Sequence, residues 1–371
     1  MARIVLGMWT SHGPTLSTTP EQWLLRVPWD RSKKDHPFRG HVYDYDALVT
    51  LRKDENLAAQ CSLAERERRS AACQRAIARM ADAFEAAAPD AAVILGNDQS
   101  ELFLDDLIPA ITVFRGDKLW DQPATPEQAA RMPPGIHEAE WGHSPPQYTE
   151  YPGLPALALH IVRCATESGF DVASSMRLPV HPGHWVSGMP HAFGFIYRQI
   201  MRDRVVPNVP VILNTFYPPN QPTARRCFDL GRLIGRAIRS WPDNRRVAVF
   251  GSGGMSHFVI DEDLDRRVFD ALRTRDAEAL CSIPESYFQS GSSELKNWVA
   301  AAGTLFDTDL QGDVIDYQPC YRSEGGTGTA NGFVCWDEVS KSSMASKSSA
   351  ASKSSAASKS SAASESSEAH P

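Results

Sequence analysis

The chain has 371 residues and a formal net charge of −7, and 42% of its residues are hydrophobic. Four lysines against two glutamates in the C-terminal tail leave the rest at about −9, an acidic body with no basic stripe, which argues against nucleic acid as a partner. No apolar run approaches the roughly 18 residues of a membrane span, no leader pattern opens the chain, and seven cysteines without a CxxC suit a reduced, cytoplasmic protein.

The first predicted strand, Ile4–Leu6, runs into Thr10-Ser11-His12 and turns at Gly13-Pro14. Residues 17–60, rich in Pro, Trp and charge, form an excursion, and a long helix is expected over 63–88. The apolar run Ala92–Leu95 stops at Gly96-Asn97-Asp98-Gln99. A second excursion, 115–150, carries six prolines. Helices are expected over 153–168 and 190–203, a strand at Val209–Leu213 ending in Asn214-Thr215, and a helix over 223–240. A strand at Val247–Phe250 ends in Gly251-Ser252-Gly253-Gly254, followed by helices over 262–273 and 293–303. Short continuous apolar runs alternating with helices predict an α/β fold, a mostly parallel sheet covered on both faces. Ligands then collect at the C-terminal strand ends, where all four polar clusters sit. One domain is expected over 1–338. From about 339 the period-six SSAASK repeat cannot bury a core, and disorder is expected to 371.

Four stretches carry candidate chemistry. His12 is pinned at a strand mouth. In GNDQSELF (96–103), a cap at Asp98 and a turn at Asn97 leave Gln99 and Glu101 without a structural role. HPGHWVSGMPHAFGF (181–195) holds His181, His184 and His191; the spacing is not a familiar zinc pattern, and near-neutral imidazoles suit acid–base work, His191 best placed. FGSGGMSHFVIDEDLD (250–265) is a poor phosphate loop. It offers Glu262 and Asp263 as hard-oxygen ligands, or as carboxylates favoured in a first helical turn.

Together VLGMWTSHGPTL, GNDQSELF, MPHAFGF, the 214–238 segment and FGSGGMSH resemble, in order, the class III extradiol aromatic-ring dioxygenases of the protocatechuate 4,5-dioxygenase β-subunit type. The gallate and 3-O-methylgallate enzymes are nearest in style. The resemblance implies non-haem Fe(II), O2 as co-substrate and a small catecholic substrate; a homo-oligomer, such as a dimer, is expected. His12 matches the first iron ligand, His191 a histidine lining the substrate pocket, and Asp263, with Glu262 beside it, the carboxylate ligand. Gln99 stands where the family has its second histidine ligand, so Gln99 or Glu101 is the expected replacement. Tyr217 stands near the place of the catalytic histidine, with His184 as an alternative, and Arg39 is a candidate for a substrate carboxylate. Two further readings keep the fold: a non-oxidative enzyme on a phenol using His191 and Tyr217, and a binding subunit whose metal site has decayed. A nucleotide site at GSGG is the weakest reading.

Overall fold

A computed structural model describes residues 1–338; the predicted disorder of the repeat tail lies outside the described residues. The molecule is an α/β structure built on a nine-stranded sheet. Its strands, in chain order, are β1 (Arg3–Thr10), β2 (Ala91–Asn97), β3 (Ile111–Phe114), β4 (Ala173–Ser175), β5 (Asn208–Leu213), β6 (Arg246–Ser252), β7 (His257–Val259), β8 (Gln311–Tyr321) and β9 (Thr327–Asp337). Four of them, β1, β6, β2 and β5, lie side by side and parallel at its centre. Antiparallel β9 closes one side and carries β7 and β8, while β3 pairs antiparallel with β5 and leads to β4.

The apolar runs are continuous because both faces are buried. In β2, Ala91, Val93 and Leu95 enter one core and Ala92 and Ile94 the other, the alternation a pleated strand imposes. The predicted helices form as α1 (Leu63–Ala87), α2 (Pro155–Glu167), α3 (His191–Phe195, continued by a wider turn to Ile200), α4 (Ala224–Ser240), α5 (Glu262–Thr274) and α6 (Leu295–Leu305). Side-chain caps start several of them: Ser62 accepts from Glu65 N–H, Thr223 from Arg226 N–H and Asp261 from Leu264 N–H.

Helices α4 and α6 pack unusually close. A Cβ added at Gly231 would strike the Ala300 carbonyl, and one at Gly235 the Thr304 carbonyl. This contact fixes α6, whose N-terminal end carries Glu294. The excursions are ordered. Residues 17–60 form short helices and a small hairpin, His36–Phe38 with His41–Tyr43; residues 115–150 are framed by the hairpin of Lys118–Asp121 with Thr149–Pro152. Among the described residues, no helix is long and apolar enough to cross a membrane.

In an open helix, Gly→Ala gains about 1 kcal/mol. Gly231→Ala is expected to reverse that sign and cost about 1–3 kcal/mol through overpacking. Urea unfolding measures it, and a stabilised variant would refute the backbone contact.

Candidate active site

The parallel strands deliver their polar ends to one place. Strand β1 leads two residues on to buried His12, β2 ends at buried Asn97 and β6 at buried Ser252, and the segment before α6 adds Glu294. The Glu294 carboxylate is 1% exposed, so its charge needs compensation from protein groups. Its Oε1 accepts from Asn97 Nδ2 (3.1 Å) and Gln99 Nε2 (2.5 Å), and Oε2 from Gly254 N–H (2.9 Å). Asn297, one turn into α6, locks the arrangement: its Nδ2 donates to Asn97 Oδ1 (2.9 Å) and to the Ser252 carbonyl (2.8 Å).

Two imidazoles face Glu294 Oε2, with His12 Nε2 at 3.1 Å and His257 Nε2 at 3.6 Å. The hydrogen-bond network assigns their tautomers. Ser252 Oγ gives its hydrogen to the Ala192 carbonyl (2.5 Å), so it accepts from His12 Nδ1–H (2.9 Å) and His12 Nε2 carries a lone pair. That buried nitrogen makes no hydrogen bond despite its proximity to the carboxylate. His257 Nδ1–H donates to the Met255 carbonyl (2.7 Å), so in the neutral ring the Nε2 lone pair faces the same oxygen. Gly254 and Gly291 make room, since a Cβ at either would run into the His257 ring. Burial lowers His12 against the pull of Glu294. Burial also opposes charge on His257, but Glu294 outweighs it and raises that imidazole. Burial alone would raise Glu294; the two histidines instead hold it well below the usual carboxylate range.

His191 opens α3 beside this cluster, its ring edge-on to His12 with centroids 4.7 Å apart. One ligating atom each from His12, His191 and Glu294 lies within 4.8 Å of the others. Glu101 Oε1 accepts from both the backbone N–H and Nδ1 of His191, each at 2.9 Å. Burial works against a charge on His191, yet Glu101 prevails and pushes it up to about 9. The neighbouring His143 is driven the other way, to about 3, first by burial and then by the charge on His191.

The structure redistributes several expected roles. Asp263 is exposed and paired with Arg39 and Arg266, and Glu262 is exposed and accepts from the Tyr321 hydroxyl (2.9 Å). Both occupy the first turn of α5, where the helix dipole favours acids, and the carboxylate beside His12 is Glu294. Gln99 enters as an amide donor to that carboxylate, and Glu101 as the partner of His191. His184 Nε2 contacts the Ser100 carbonyl (2.7 Å) on the flank of the 98–101 loop. Tyr217 packs on Phe216 and, like His184, is not part of the cavity wall. Arg39 is spent on Asp261 and Asp263. Asp98 is the cap the sequence suggested, accepting from the N–H groups of Glu101, Leu102 and Phe103. Sequence reading passed over Glu294, His257 and His143. His257 had a signal, a histidine just past a strand end and a Gly-Gly pair, the pattern that marked His12. Glu294 looked like an ordinary helix-opening residue.

Residues 104–329 match the family described as the catalytic LigB subunit of aromatic ring-opening dioxygenase. The chain belongs to that family. Membership agrees with the resemblance carried by the strand-end motifs. A 2,3-dihydroxyphenylpropionate/2,3-dihydroxicinnamic acid 1,2-dioxygenase of Azotobacter vinelandii is 35% identical over 130 residues, covering 34% of this chain and 38% of that protein. A gallate dioxygenase of Pseudomonas putida is 33% identical over 95 residues, 23% of this chain and 28% of its own. A Paraburkholderia phymatum protein with the same name as the first is 40% identical over 101 residues, 27% of this chain and 28% of its own. The matched stretches thus span well under half the length of these relatives.

Because His191 is raised above its ordinary value of 6.5, its contribution to stability is fully present below pH 6.5 and lost as pH rises through about 9. In metal-free protein, Glu101→Gln is expected to lower His191 from about 9, since burial loses its main opponent, and to shrink that pH-dependent stability. NMR titration of the imidazole Cε1–H checks the first and urea unfolding between pH 6.5 and 9 the second.

Proposed function

We propose that the protein opens a catecholic aromatic ring with dioxygen as an extradiol-type dioxygenase, using iron(II) held by His12, His257 and Glu294. The observation that carries this reading is the convergence of two buried imidazole lone pairs on one carboxylate oxygen. Such an arrangement of acceptors is electrostatically incomplete without a cation, and a two-histidine, one-carboxylate face suits a divalent transition metal with open positions. Each histidine donates its other N–H to a fixed acceptor, and the carboxylate is itself held by hydrogen bonds, the support expected around metal ligands. Bound iron(II) would supply a path for electrons from the ring to dioxygen.

The other residues do the proton work. His191 faces the cavity with Nδ1 tied to Glu101, so it holds a proton toward a ring oxygen where negative charge develops. Neutral His143, also on the cavity wall, offers an acceptor beside it. Gln99 and Asn97 orient the carboxylate through Oε1, and Oε2, which accepts from Gly254 N–H, keeps a face turned to the two histidines for the metal. His257 is preferred to His191 as third ligand because its Nε2 approaches the same carboxylate oxygen as His12, while His191 lines the cavity and is engaged by Glu101. The names and the family of the matched relatives support ring cleavage.

Protein reconstituted anaerobically with Fe(II), then given gallate, protocatechuate or 2,3-dihydroxyphenylpropionate, is expected to consume oxygen in stoichiometry with a yellow ring-opened product from at least one. Product without oxygen uptake would favour the non-oxidative reading, and tight ligand binding without turnover the binding subunit. His257→Ala is expected to weaken Fe(II) binding by about 100-fold or more. His191→Ala is expected to keep the metal and lose about 10²–10⁴ in kcat. Metal titration and steady-state kinetics check both, and the opposite pattern would make His191 the ligand.

A further inference from the structure

The cavity that opens from the His12, His257 and Glu294 cluster measures about 420 Å³. A cavity that takes a single benzene ring needs roughly 150 Å³, so a compact hydroxybenzoate leaves most of this space unfilled. Away from the polar cluster the wall is apolar: Met132, Pro133, Ile136, Trp185, Val186 and Met189. These residues come from the 115–150 excursion and the segment before α3, which roof the strand ends.

Within that wall, among the described residues, the Arg26 guanidinium has neither a hydrogen bond nor an ion pair. Its guanidinium lies over the Trp29 ring, 4.8 Å from the centroid, and Trp29 meets Phe258 edge-on at 5.6 Å. Phe258 follows His257 and also lines the cavity, so two ring contacts separate the guanidinium from the residue beside the proposed ligand. Burial and neighbouring Arg322 push Arg26 down to about 10 against the more distant pull of Asp30, which Arg322 already engages, and this leaves Arg26 charged at neutral pH. Arg322 is neutralised by Asp30 at 2.6 and 2.8 Å. Arg131, exposed, donates to the Gly183 carbonyl. Of the carboxylates on the wall, Glu101 is matched by His191, Glu140 accepts from Ala124 N–H, and burial raises Asp121 well above the ordinary carboxylate value, which disfavours its charge. A half-buried guanidinium without a partner is a costly feature unless a ligand supplies the anion.

We propose that Arg26 determines specificity by binding an anionic group at the end of an extended apolar substituent on the catecholic ring. The proposal relies on the ring-opening reading only for the identity of the catechol end. A planar guanidinium suits a carboxylate bidentately, and the apolar wall suits the chain that joins it to the ring.

Anaerobic titration of the Fe(II)-reconstituted protein, followed by tryptophan fluorescence, tests this without turnover. The probes are 2,3-dihydroxyphenylpropionate, its uncharged methyl ester and the compact acid 2,3-dihydroxybenzoate. The propionate is expected to bind at least tenfold more tightly than either of the others. Arg26→Gln should reduce the propionate-to-ester ratio to under twofold, and Arg26→Lys should retain at least threefold. A wild-type ratio under twofold, a ratio kept in Arg26→Gln, or equal binding of the compact acid would overturn the proposal. The wild-type comparison needs no variant to fold. Discriminating binding without oxygen uptake would sink the dioxygenase reading and leave this one standing; turnover without discrimination would do the reverse.

Discussion

The burial of one carboxylate, Glu294, organises the rest of the site. An ionised group out of water is tolerated only when donors and opposite charge surround it. Here three N–H donors come from β2, the loop after it and the turn after β6. The two imidazoles face it from the ends of other strands. Four chain segments far apart in sequence are drawn to one point by that requirement. The parallel sheet makes this possible, because β1, β6 and β2 all end on the same side.

Position is then secured by packing. Glu294 precedes α6, and α6 is pressed against α4 where glycines allow backbone to meet backbone. The same helix contributes Asn297, which ties β2 to β6 through one amide. The acid–base side is held separately. Glu101 anchors His191 at the start of α3, and Asp98 caps the turn that presents Glu101. Glu294 and His191 therefore rest on two neighbouring but distinct hydrogen-bond systems.

Local pattern sufficed for the sheet and the main helices. The runs beginning at Ile4, Ala92, Val209 and Val247 are strands because their side chains are apolar on both faces, which is a local property. The long hairpin of β8 and β9 escaped notice, since β8 carries Asp313, Asp316 and Gln318 and its pairing depends on β9. His12 was legible from its strand end. Glu294 was not, because a buried glutamate before a helix has the sequence signature of a capping acid and only tertiary contacts distinguish it. The reverse held for Asp263, which stood in the expected stretch yet occupies an ordinary exposed helix start. Gln99 was recognised as a departure, but its role as donor to a residue 195 positions away has no local trace.

The loop leaving β2 has one more property. Gln99 touches the carboxylate of the cluster, and Glu101, two residues on, touches the His191 imidazole. A single short turn thus works as a two-armed lever, with Asp98 as its fulcrum. The turn holds one of the three donors to Glu294 and the carboxylate that anchors His191. The two hydrogen-bond systems therefore share one short turn, although Glu294 keeps its bonds to Asn97 and Gly254 independently of it.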